Sequence, residues 1–120
     1  MHAPGLSFVS CFKGKLIMQE EVDDKFYERA DAHIHLSNGQ INKDITSGKV
    51  SASFMYSVAR FNSWVSACNY QNSEQMREAK DELIEYFTKE YRQMLEENLE
   101  DYTSNFDSYM QITDNKKPNG

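Results

Sequence analysis

The chain has 120 residues, enough for one domain with a modest core. Aromatic residues make up 12% of it, with only five Gly and two Pro. That is too aromatic for a disordered chain and too poor in breakers for a turn-rich β fold. A formal net charge of −6 opposes binding to a phosphate backbone or an anionic membrane surface. No run approaches the ~20 apolar residues of a membrane-spanning helix, so neither nucleic acid nor a membrane is an expected partner.

Residues 1–17 carry two of the glycines, one proline and no helical period. The run Leu6-Ser7-Phe8-Val9-Ser10-Cys11-Phe12 lacks the basic segment that precedes a signal sequence, and Lys13 and Lys15 follow it instead. The expectation is a disordered or mis-assigned N-terminal extension, with Met18 as the native start. A helical domain over 18–112 should follow, then a disordered polar tail over 113–120.

The first helix is predicted over 24–40. Asp23 or Asp24 can cap it, Phe26, Tyr27, Ala30, Ile34 and Ile41 lie near one face, and Ser37-Asn38-Gly39 offers a stop. After the loop 42–48 the chain reaches its most apolar helical stretch, 49–69, predicted as a helix over about 50–69. Val50, Phe54, Val58, Phe61, Val65 and Cys68 recur there at steps of three and four. Met55, Ala59 and Ala52 form a second stripe, so this helix should meet neighbours on two sides. Thr46 or Ser47 can cap its start. Cys11 and Cys68 are too few for a disulfide framework. Cys68 reads as a reduced, packed thiol in a cytoplasmic protein.

Asn72-x-x-Gln75 resembles a capping box and opens a long third helix, predicted over 73–110. Met76, Ala79, Leu83, Phe87, Tyr91, Leu95, Leu99, Tyr102, Phe106 and Met110 keep the helical period without a Gly or Pro. Such a helix outruns the first two, so its distal apolar stripe must fold back, meet another copy, or fray. Glu96, Glu97, Glu100, Asp101 and Asp107 crowd the C-terminal half, where the helix dipole disfavours acids; a break near Thr103-Ser104-Asn105 would relieve this. The predicted fold class is all-α, a three-helix antiparallel arrangement with a long C-terminal helix.

The segments FYERADAHIHLSN and VSASFMYSVARFNSWVSA, followed by the long acidic helix, resemble a small proteobacterial family carried as a domain of unknown function. FYERAD and ARFN are the most distinctive parts, and the resemblance spans about Glu20 to Met110. It implies a compact cytosolic helical domain and brings no catalytic residues.

Candidate chemistry is sparse. Glu28, Asp31 and His35 lie along one side of the first helix and are the metal-ligand candidates. His33 lies about 200 degrees from His35, and the Glu-x-x-His spacing of di-metal helices is missing. A solvated or capping role therefore suits them better. Arg60 and Asn62 in the second helix are read as a structural polar group, with Glu28 or Asp31 as the partner of Arg60. No nucleophile arrangement, phosphate loop or cofactor motif is visible. The leading expectation is thus a non-enzymatic interaction module without a cofactor. It would form a homodimer, or hold an unknown protein partner, through Tyr91, Leu95, Leu99, Tyr102, Phe106 and Met110. The alternative is a metal- or small-ligand-binding helical protein using Glu28, Asp31, His35 and Arg60.

Overall fold

A computed structural model describes residues 22–116, with side chains from 22 to 111. The expected extension over 1–17, the start at Met18 and residues 117–120 of the expected tail lie outside the described residues. The described chain is all-α: α1 (Phe26–Gln40), α2 (Ser47–Ala67), α3 (Ser73–Ser104) and α4 (Phe106–Lys116). It divides into two units, one ending at Glu78 and the other starting at Ala79, inside α3.

In the first unit, α1 begins after a turn in which the Phe26 N–H bonds the Asp23 carbonyl at 3.1 Å. Gly39 is helical and does not form the stop; the helix ends where Ile41 turns extended (φ −83°, ψ 131°). The connection is tight because Asn42 closes it: its Oδ1 accepts from the N–H groups of Asp44 (2.8 Å) and Ile45 (2.9 Å). Thr46 then caps α2, its Oγ1 accepting from the Lys49 N–H at 3.2 Å. That cap lets the helix begin at Ser47, a turn before its first apolar residue.

α1 packs on α2. The His33 ring lies 6.3 Å from the Phe54 ring. Each residue is seven positions from the loop-side end of its helix, so the two helices run antiparallel as a hairpin. The half-buried residues of α1 are Phe26, Ala30 and Ser37, on the face His33 shares. Tyr27 and Ile34 are 70% and 50% exposed. The packed stripe is therefore rotated by about one residue from the one the apolar pattern predicts. The small Ala30 and Ser37 allow close approach, and His33 covers Phe54. On α2, Val50 and Ser66 are buried, while Phe54, Val65 and, just past its end, Cys68 are half-buried.

The Asn72 box forms at the start of α3: the Gln75 N–H donates to Asn72 Oδ1 at 2.9 Å, and Gln75 Oε1 accepts from the Gln71 N–H at 2.8 Å. The 32 residues of α3 span about 48 Å. Where the pattern predicts one helix over 73–110, the chain has two, parted by a single turn residue at Asn105. Backbone bonds bridge that residue, from Asn105 N–H to the Asp101 carbonyl (3.0 Å) and from Tyr109 N–H to the Asn105 carbonyl (2.9 Å). The Asn105 side chain competes for the same carbonyl at 3.0 Å, which perturbs the ladder. α4 then runs to Lys116, into the stretch expected as a tail.

A Cβ added at Gly39 meets nothing within 4 Å, and its backbone is already helical. Gly39→Ala should therefore stabilise the chain by about 0.5 kcal/mol, read as a higher urea midpoint with an unchanged slope.

Candidate functional site

Each sequence-derived candidate has a definite place. Glu28, Asp31 and His35 lie exposed on α1. Glu28 faces Lys25 at 4.0 Å. No three His, Cys, Asp or Glu side chains among the described residues lie close enough together to hold a metal ion. Arg60 is exposed and Asn62 half-buried on α2. The ion pairs among the described residues are Lys25–Glu28, Arg29–Asp23 at 3.0 Å and Arg92–Glu96 at 3.5 Å; Arg60 is not brought to Glu28 or Asp31. The Arg29 guanidinium, by hydrogen bond and charge, holds the Asp23 carboxyl below its ordinary value. Glu85 and Lys89, spaced for an i,i+4 pair, form none.

The distal residues behave differently. Tyr91, Leu95, Leu99, Tyr102, Phe106 and Met110 are all between 38% and 58% exposed. Ile84, Met94 and Tyr109 join them. On α3 the positions 84, 91, 95, 98 and 102 fall on one stripe at helical spacing, filled by Ile, Tyr, Leu, Asn and Tyr. From Tyr91 to Gln111 every residue is exposed. Glu90, Glu97 and Asp101 line one flank of the stripe; Arg92, held by Glu96, lies on the other.

The end of the stripe is fixed by Asp101. Its carboxylate accepts from the Tyr109 O–H (3.1 and 3.3 Å) and from Asn105 Nδ2 (2.9 Å). The Tyr102 and Tyr109 rings lie 4.8 Å apart. One acceptor thus ties the last turn of α3 to the first turn of α4 across Asn105, and sets Tyr102, Phe106 and Met110 beyond Leu99. The carboxylate beside it raises the Tyr109 hydroxyl above its ordinary value. An i,i+8 contact across a turn has no sequence period, so no pattern in the chain announces it.

The described residues thus form an all-α chain whose long α3 carries an exposed apolar stripe. The chain belongs to the DUF3144 family, described as a protein of unknown function, whose model matches residues 26–103. That span holds both FYERAD and ARFN and ends just before the turn at Asn105. No curated protein and no solved structure matches the chain. Among the described residues no helix is long and apolar enough to cross a membrane.

Tyr109 gives a pH-dependent test. A tyrosine kept neutral by its partner contributes its stabilisation in full below the ordinary value of 10.0 and loses it as pH rises past the raised one. Circular dichroism should show partial loss of helix in that alkaline range. Tyr109→Phe should lack the step and show a less ordered chain end at neutral pH.

Proposed function

We propose that this protein is a non-enzymatic interaction module that self-associates through the distal part of its long helix, using Tyr91, Leu95, Leu99, Tyr102, Phe106 and Met110. The observation that carries the reading is the uncovered stripe itself. Nine large apolar side chains from Ile84 to Met110 are exposed. At roughly 90 Å² for each half-exposed side chain they offer on the order of 800 Å². The largest patch on a typical monomer is about 300–600 Å², and each partner of a standard interface contributes about 800 Å². Tyrosine and methionine, prominent here, suit such surfaces because they combine apolar area with polar or adaptable ends.

Burial within one copy supports the same reading. Val50 is the one buried hydrophobic residue among those described, which is little for an ordered helical chain. A second copy would supply the missing contact area, and folding would then be coupled to association. A cytoplasmic setting belongs to the proposal; it rests on Cys68, a half-buried free thiol. The net charge of −6 speaks against nucleic acid as the partner.

Sedimentation of the full chain should give a dimer whose melting temperature rises with protein concentration. Leu95→Arg with Leu99→Arg should produce a monomer that melts earlier and without concentration dependence. A native chain that stays monomeric at high concentration would sink the proposal.

A further inference from the structure

The distal stripe is apolar but strongly acidic. Over 91–111 it carries Glu96, Glu97, Glu100, Asp101 and Asp107 against Arg92 alone, and Arg92 is already held by Glu96 at 3.5 Å. Two such stripes laid on one another, parallel or antiparallel, would place acid beside acid, and like-charge juxtaposition is strongly unfavourable at an interface. The stripe therefore calls for a cationic counterpart rather than a copy of itself.

The described chain has one helix of that character. α2 contains Lys49 and Arg60 and no Asp or Glu from Ser47 to Ala67. Lys49, Ser53, Tyr56, Arg60 and Ser63 follow steps of four and three and so share a face. All are exposed, Tyr56 at 67%. Lys49 and Arg60 form no ion pair with any described residue. Of the other cations, Lys43 stands in the loop beside Asp44, and the rest are occupied or outnumbered. Lys25, just before α1, and Arg29 of α1 pair with Glu28 and Asp23. Arg77, Lys80 and Lys89 are interspersed among six acids between Glu74 and Glu90. The spacing also agrees. Lys49 and Arg60 are eleven residues apart, about 16 Å along a helix, and Glu90 and Asp101 on the flank of the stripe are eleven apart too.

We infer that the acidic apolar stripe of α3 in one copy docks on the Lys49–Tyr56–Arg60 face of α2 in a second copy. The inference rests on the self-association proposed above and names the surface that receives the stripe. In a two-fold dimer the contact is made twice, each copy giving a stripe and receiving one.

The test is a charge exchange on the full chain. One variant carries Lys49→Glu and Arg60→Glu. The other carries Glu90→Lys and Glu97→Lys. Asp101 is left intact because it holds the turn at Asn105. The first pair should fold, since both side chains are exposed and Lys49→Glu places an acid in the first turn opposite the Thr46 cap; circular dichroism checks this, with Arg60→Glu alone as a milder version. Each variant by itself should dimerise at least about tenfold more weakly than the native chain. An equimolar mixture should recover near-native dimerisation as a heterodimer, because both of its contacts then join opposite charges. If the first variant forms homodimers as strongly as the native chain, or the mixture yields no heterodimer, the docking surface is wrong while the stripe can still mediate self-association. A native chain that is monomeric throughout overturns both readings.

Discussion

Ordering a backbone costs about 1–2 kcal/mol per residue, and apolar burial is the main term that offsets it. Among the described residues, Val50 at 5% exposure is the single fully withdrawn hydrophobic side chain, and its burial is worth on the order of 1.5 kcal/mol. The partial burial of Phe54, Val65, Leu83 and Phe87 adds to this, yet large apolar side chains such as Tyr27, Leu36, Tyr56 and Leu99 remain more than half exposed. The turn before α2 and the starts of α2 and α3 are meanwhile well satisfied: Thr46, Asn42, Asn72 and Gln75 all bond backbone N–H groups. Local structure is thus closely specified while tertiary burial is thin. The proposed self-association would add the burial that the described residues lack.

Much of the fold was legible because its signals are local. The helical period of 49–69, the Thr46 and Asn72 caps and the breaker-free run after Glu74 each identify an element from neighbours within four residues. The break near Asn105 was legible too, through the crowd of acids before it. What escaped was tertiary. The stripe of α1 that packs keeps Phe26 and Ala30 of the predicted face but continues to His33 and Ser37, neither of which reads as a hydrophobic signal; size and ring contact decided it. Likewise Arg60 looked like the partner of Glu28 or Asp31 on α1, yet it forms an ion pair with neither.

The candidate site divides along the same line. The exposed residues Tyr91, Leu95, Leu99, Tyr102, Phe106 and Met110 were readable from helix length, since two shorter helices could not cover all of a longer one. The device that shapes their far end was not. Asp101 collects Asn105 and Tyr109 from four and eight residues onward, and nothing in their identities sets them apart from an ordinary polar surface. A charge-assisted acceptor of this kind is stronger than a neutral one, which suits a joint where the backbone ladder is perturbed.

Four of the six serines of α2 turn inward on their own helix. Ser53, Ser57, Ser63 and Ser66 donate to the carbonyls of Val50, Ser53, Ala59 and Asn62 at 2.8–3.1 Å. To an approaching surface these hydroxyls are largely spent, and the positions act much like alanine. A hydropathy scale scores these four positions as polar, whereas a neighbour meets a cylinder with few open hydroxyl donors at them. Discrimination between neighbours on such a cylinder is left to contour and to the placement of its two positive charges.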